Sequence, residues 1–305
     1  MYESIVAKLS QPKARTLARA SMRLAAMVRA SEAPAALRLT VMGLSFPGPV
    51  GLAAGFDKLG TLYPSLPPLG FGFAEIGSVI PLPELRCSHG LDAVTAILSR
   101  YPRPHPIPLG VSIGMNRKTS SARMIEGYLV CMQGFWKYAD YIALNLGVRA
   151  GADLHLPEHR ATLRGVLAAA KNEQTRMVRE HGLHHPLVVK VDQTRGYTDA
   201  LLDCVREFSF DGLILSSDAR KGEEGEVLAS LERVVKTLEI PVISVGGIRT
   251  PQDVSDRLAA GAALVQIYSG LVQSGPLLLQ RINHRLATAS QETQSSGGPQ
   301  TRRCT

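Results

Sequence analysis

Pro241-Val-Ile-Ser-Val-Gly-Gly-Ile248 and Ala263-Leu-Val-Gln-Ile-Tyr-Ser-Gly270 decide the fold. Each is a β-branched, apolar run of strand length that ends in glycine. Gly246 and Gly247 remove side chains where a strand hands over to a loop, so backbone N–H groups can close on an anion. Tyr268-Ser269-Gly270 repeats the arrangement one strand later, and Ser269 adds a hydroxyl donor. Either turn alone reads as a tight turn without a ligand. The pair, in this order, suits the phosphate site that follows strands seven and eight of a (β/α)8 barrel.

Outward from there the chain is regular. Apolar runs of strand length stand at 49–56, 73–80, 108–114, 141–147, 185–192 and 210–217, ahead of 241–248 and 263–270. Helical patterns separate most of them: Ser121 to Tyr138, Arg160 to His181, Thr198 to Phe208, Glu224 to Leu238, Pro251 to Ala260 and Gly275 to Leu286. Eight strands alternating with helices predict a parallel sheet, and eight repeats favour closure into a (β/α)8 TIM barrel. A doubly wound open sheet is the alternative, but it carries its glycine fingerprint after the first strand. Here the fingerprint follows the seventh. Residues 81–107 interrupt the pattern with five prolines, leaving space for one short helix at Leu91 to Leu98. A long irregular segment over a barrel mouth often serves as a lid or part of the site.

Residues 1–40 form an N-terminal extension to the barrel at 41–288, and the Gln/Ser/Gly/Thr-rich stretch 289–305 reads as a disordered tail. The extension predicts two amphipathic helices broken at Gln11-Pro12. Leu17, Leu24 and Val28 make an apolar stripe on the second, with Arg15, Arg19 and Arg23 displaced around it. Of the chain's net charge of +8, +5 sits in residues 1–40, so the excess is local and argues against a nucleic-acid face. A basic amphipathic pair suits peripheral membrane contact through residues 1–30; packing on the barrel's own end explains it equally well. No run approaches the ~20 apolar residues that cross a bilayer. The four cysteines lack metal or redox spacing, so no metal is expected and the compartment reads as cytoplasmic, on or near the inner face of the membrane.

In such a barrel the chemistry collects at the C-terminal ends of the strands. Those ends read Ala53-Ala54-Gly55-Phe56-Asp57-Lys58, Gly77-Ser78, Gly114-Met115-Asn116-Arg117, Asn145, Lys190-Val191-Asp192, Ser216-Ser217-Asp218, Gly246-Gly247 and Tyr268-Ser269-Gly270. Small residues at several ends leave room for a flat, bulky cofactor. Lys190 interrupts a β-branched strand, which is costly unless its charge is used. It would stabilise negative charge on a reduced flavin, or be satisfied structurally by Asp192 or Asp211.

Val41-Met-Gly-Leu-Ser-Phe46, Gly51-Leu-Ala-Ala-Gly-Phe-Asp-Lys58 and Gly70-Phe-Gly-Phe-Ala-Glu-Ile-Gly-Ser78 closely resemble the first third of dihydroorotate dehydrogenases of the quinone-dependent, membrane-associated class. Tyr141-Ile-Ala-Leu-Asn145, Val188-Val-Lys190, Ser244-Val-Gly-Gly-Ile248 and Ala259 to Gly270 match as well. The resemblance implies FMN, with its phosphate on Gly246, Gly247, Tyr268, Ser269 and Gly270 and its ring near Ala54, Gly55, Ser78, Ser112, Asn145, Lys190 and Ser216. It also implies a small-molecule substrate and a quinone or another electron carrier as partner.

The departures are as informative. The family's Asn-Arg-Met-Gly-Phe-Asn-Asn block, which lines the orotate pocket, has no counterpart in 81–107. Where the family places its proton-abstracting serine this chain has Val148, which cannot take a proton, and a pocket asparagine is replaced by Ala150. The Thr-Asn-Thr turn becomes Ser216-Ser217-Asp218, a flavin-contacting asparagine is Ser112, and a following lysine is Met115. Each lost buried partner costs roughly 1–3 kcal/mol, so four losses would abolish useful orotate binding unless other groups replace them. Replacement candidates are Arg86, Cys87, His89 and His105, then Arg149, Asp153 and His155. Arg149 suits a carboxylate, and a histidine suits a base near neutral pH. The expected catalytic set is therefore Lys190, Asn145, His155 and Cys87; the expected substrate set is Lys58, Asn145, Arg149 and Ser217. An FMN-dependent oxidoreductase with an altered small acid or amide substrate is the leading reading. Authentic dihydroorotate oxidation and a non-catalytic flavin-binding or partner protein are the alternatives.

Overall fold

The computed structural model describes residues 2–28, 31–81, 90–115, 119, 121–147, 159–193, 199–217 and 223–296. After helices α1 (Tyr2–Val6) and α2 (Gln11–Val28), the chain makes a hairpin of β1 (Leu39–Val41) and β2 (Leu44–Phe46). Eight strands follow: β3 (Val50–Leu52), β4 (Phe73–Val79), β5 (Leu109–Ile113), β6 (Tyr141–Asn145), β7 (Leu187–Asp192), β8 (Gly212–Ser216), β9 (Val242–Val245) and β10 (Leu264–Ile267). They pair in parallel, in sequence order, and β10 returns to β3 to close the barrel. Every strand falls inside a run expected from the sequence. The hairpin was not expected, because three-residue strands around Met42-Gly43 carry too little alternation to signal pairing.

Helices cover the outside: α3 (Leu91–Leu98), α4 (Ser121–Phe135), α5 (Arg160–His181), α6 (Asp199–Glu207), α7 (Glu224–Leu238), α8 (Pro251–Ala259), α9 (Ser269–Ser274) and α10 (Leu277–Ser296). The outward faces of the strands and the inner faces of these helices share one large apolar core. Helix α8 shows why the sequence turns helical where it does: Thr250 and Asp253 form a reciprocal capping box ahead of Pro251. Helix α10 continues to Ser296, so residues 289–296 of the expected disordered tail are helical. Along it Thr288 and Ser290 bond back to the carbonyls of His284 and Leu286, which satisfies their hydroxyls within the helix.

Inside the barrel, residues alternate strand by strand, and Gly51, Phe73, Gly110 and Tyr141 meet near the N-terminal end. A Cβ on Gly51 would lie 2.5 Å from the Phe73 ring, and one on Gly110 2.0 Å from the Tyr141 ring. Each aromatic thus fills the notch left by a neighbouring glycine. Phe46 of the hairpin packs edge-on against Phe73, with ring centroids 5.4 Å apart. Together with Val41, Val188 and Leu264 these rings close the barrel floor.

The N-terminal helices rest on the opposite, C-terminal end. Helix α2 buries Ala14, Ala18 and Met22, the two alanines allowing close approach, while Leu24 and Val28 are exposed. The packing face therefore differs from the expected Leu17/Leu24/Val28 stripe. Arg15, Arg19 and Arg23 turn toward the barrel and bond to Tyr268, to Phe56 and Asp57, and to Thr61 respectively. Among the described residues no helix is long and apolar enough to cross a membrane.

Candidate active site

At the C-terminal end the strands finish in small and polar residues, so the barrel opens there, whereas its N-terminal floor is packed. Ser78 on β4 and Ser112 on β5 share a hydrogen bond at 3.1 Å, and Asn145 on β6 donates to the Ser78 hydroxyl at 2.8 Å. The Asn145 side-chain oxygen accepts the Gly147 N–H at 3.0 Å, and buried Tyr128 donates to the Asn145 carbonyl. Three adjacent strands therefore present one connected polar edge. Ser112, which replaces a longer amide of the family pattern, closes this network with its neighbours.

Beneath that edge lies a charged centre that the apolar runs concealed. Lys190 reaches across the barrel to Glu75, Nζ to Oε1 at 3.0 Å, and the Glu75 side chain is fully buried. Gln266 donates to the other carboxylate oxygen at 2.8 Å and Tyr141 at 3.3 Å. Burial first, then the neighbouring Glu75 charge, pushes the Tyr141 phenol well above its ordinary value. Asp192 and Asp211, the partners expected for Lys190 in a structural role, are not what holds it. Asp211 instead faces Lys171, His184 and the Leu187 N–H. Glu75 and Gln266 were not singled out from the sequence; the signal that would have found them is a polar residue at an inward position of an apolar strand.

The turns after β9 and β10 meet. Gly246 and Gly247 take positive φ of 105° and 71°, and a Cβ on Gly246 would lie 1.7 Å from the Ser217 carbonyl. No other residue fits there. A Cβ on Gly270 would lie 2.5 Å from the Ile248 carbonyl, so the second turn presses on the first. Ser217 sits beside them with its hydroxyl buried and without a hydrogen-bond partner among the described residues. Ser216 is tied to the Val191 carbonyl at 2.9 Å. Tyr268 stacks edge-on against Phe56 at 5.5 Å and accepts a bond from Arg15.

The loop after β3 carries Ala54, Gly55 and half-buried Lys58 to this mouth, and the Gly55 N–H bonds to the Gly77 carbonyl. Asp57, fully buried, accepts from Arg19 at 3.1 Å and from the Leu62 N–H at 2.6 Å, which fixes the loop to α2. The structure thus brings together Ala54, Gly55, Lys58, Ser78, Ser112, Asn145, Lys190, Ser216, Ser217, Gly246, Gly247, Tyr268, Ser269 and Gly270 at one end of the barrel. Cys87, Arg149 and His155 lie outside the described residues, as do Arg86, His89, Val148 and Asp153. One other expectation is corrected. His105 lies near the opposite end, bonded to Asp140 at 2.7 Å, so it cannot serve as a base at the mouth. Met115 is 3% exposed and packs in the outer core.

Small side chains at the mouth, a glycine turn, a buried hydroxyl unpartnered among the described residues and a held ammonium together fit a phosphorylated flavin. Comparison with known proteins agrees. The dihydroorotate dehydrogenase family model matches residues 215–289, from β8 into α10. A dihydroorotate dehydrogenase (quinone) of Shewanella frigidimarina is 32% identical over 286 residues, covering 80% of this chain and 84% of its own. One from Neisseria meningitidis serogroup C is 32% identical over 295 residues, covering 82% and 86%. Among solved structures, ligand-free dihydroorotate dehydrogenase from Eimeria tenella superposes with a TM-score of 0.76 at 25% identity, over 94% of this chain and 99% of that one. The same enzyme in complex with ferulenol gives 0.76 at 24% identity, which speaks to the fold. The chain belongs to the dihydroorotate dehydrogenase family, whose members are FMN flavoproteins.

Proposed function

We propose that the protein is an FMN-dependent oxidoreductase of the dihydroorotate dehydrogenase type whose substrate pocket has been rebuilt for a different small carboxylic acid or amide. The observation that carries the flavin part is the glycine turn at Gly246 beside the buried, unpartnered Ser217 hydroxyl. Gly246, Gly247, Tyr268, Ser269 and Gly270 would hold the phosphate. Ala54, Gly55, Ser78, Ser112, Asn145, Lys190 and Ser216 would receive the ring. When bound, FMN supplies the hydride acceptor or donor.

The chain's own residues do the rest. Lys190, kept in place by Glu75, directs positive charge toward the mouth, where negative charge on the reduced cofactor needs stabilising. Its partner at 3.0 Å keeps the ammonium from drifting into solvent. Asn145 and Ser78 orient each other, so their polar edge costs little reorganisation at the moment of reaction. Lys58 and Arg149 would hold a substrate carboxylate, with Ser217 as a further polar contact, and His155 or Cys87 would move the proton that Val148 cannot. A quinone is the electron partner suggested by the relatives' names. Exposed Ile5, Leu24, Met27 and Val28 on the N-terminal helices support peripheral contact with a membrane on its cytoplasmic side.

Dihydroorotate oxidation itself is the second reading, favoured by relatives that carry that name across four fifths of the chain. Anaerobic mixing of the purified flavoprotein with dihydroorotate separates the two. A rebuilt pocket leaves the flavin absorbance unchanged, while bleaching on the timescale of turnover establishes the second reading.

A further inference from the structure

Arg257, on the inner face of α8, is 5% exposed. Its guanidinium donates to the Ser244 hydroxyl at 3.0 Å and to the Gly246 carbonyl at 3.2 Å. Ser244 points out of the barrel, so the arginine lies between the sheet and the helix, directly behind the glycine turn. Among the described residues no carboxylate comes within 4.0 Å of it. Glu224, Asp253 and Asp256 act on it only from farther away, and Asp253 and Asp256 already accept bonds from the α8 cap and from Gln252. Burial lowers the Arg257 pKa, and those three carboxylates offset part of that. A buried cation without a close counter-charge is costly unless another charge completes it.

We propose that Arg257 is a positioning residue for the phosphate end of the flavin, holding the Gly246 turn from behind and supplying the positive charge that a phosphate dianion in front of it completes. This rests on the FMN reading above and extends it to specificity: the site should prefer FMN to riboflavin, and Arg257 should account for part of that preference. A lysine keeps the charge but not the forked pair of hydrogen bonds; a methionine keeps neither.

The test is the binding of FMN and of riboflavin, by flavin fluorescence, to full-length deflavinated protein. Arg257→Met should weaken FMN about thirtyfold, the size expected for losing one charge several ångströms from a dianion, and leave riboflavin within about threefold. Arg257→Lys should keep most of the preference. Equal weakening of both flavins by Arg257→Met would mean a packing role only and overturn the proposal, as would an unchanged FMN affinity. Where Arg257→Met does not fold, Arg257→Lys decides: a retained preference supports the proposal and a lost one overturns it. Wild-type protein that binds neither flavin sinks the FMN reading itself, whereas wild-type protein that binds both equally sinks only the role of Arg257.

Discussion

The two ends of one barrel are built on opposite plans. At the floor, large rings are driven into glycine notches: Phe73 against Gly51 and Tyr141 against Gly110, with Phe46 sealing from the hairpin. Just outside, Asp140 ties the floor together by accepting from Arg103, from His105 and from the Leu109 N–H. At the mouth the same alternation delivers Ser78, Ser112, Asn145 and Ser216, and Gly246 and Gly270 press against backbone carbonyls. Glycine at the floor makes room for the protein's own side chains; at the mouth it lets the backbone of neighbouring turns close together. Stability should therefore reside at one end and ligand binding at the other.

Substitutions can break that division. The largest effect is expected at Asp140→Ala, which strands the buried His105 ring and the Leu109 N–H. It should lower stability to urea by about 2–4 kcal/mol while the folded fraction keeps its FMN. Gly110→Ala forces a methyl into the Tyr141 ring and should cost about 1–3 kcal/mol in the same assay, again with flavin retained. Gly246→Ala is its counterpart at the mouth: the conformation at φ 105° and the Ser217 carbonyl both resist a Cβ. It should weaken FMN by about ten- to a hundredfold in a fluorescence titration, a loss of about 1–3 kcal/mol expressed in binding. If Gly110→Ala releases flavin as readily as Gly246→Ala, the two ends are not separable.

Smaller effects sharpen the contrast. Ser217→Ala removes a buried hydroxyl that lacks a partner among the described residues, so the flavin-free protein should gain about 1 kcal/mol while ligand affinity falls. A loss of stability in the flavin-free form would show that the hydroxyl is already satisfied. His185, at the floor beside Trp136, titrates below its ordinary 6.5, chiefly through burial and then through Arg103. A depressed histidine contributes stability above its unfolded pKa, and that contribution is lost as pH falls through that value. Urea midpoints should therefore drop between about pH 7 and pH 5, and drop less in His185→Gln.

Much of this was legible in the sequence, for physical reasons that differ by region. Strands and outer helices announce themselves because a residue buried on both faces must be apolar; α5, α7 and α3 end where the periodicity ends. The turns at Gly246 and Tyr268 were legible because few side chains tolerate such backbone. The Lys190–Glu75 pair was half legible: the lysine stood out, but its partner lies 115 residues away across the barrel, a closure that spacing does not encode. Arg257 was hidden for the opposite reason, as one more charged residue on an amphipathic helix. The basic N-terminal helix was open to two readings, lipid contact or packing on the barrel's own end; Arg15, Arg19 and Arg23 grip the barrel, a choice that spacing alone does not make.

The central claim is that the mouth holds FMN, and the chromophore carried by the purified chain tests it most directly. The absorption spectrum should show a bound flavin that, released by denaturation, proves to be FMN at about one per chain, as expected for one barrel with one phosphate cradle. A colourless protein that also takes up no added FMN would contradict the account.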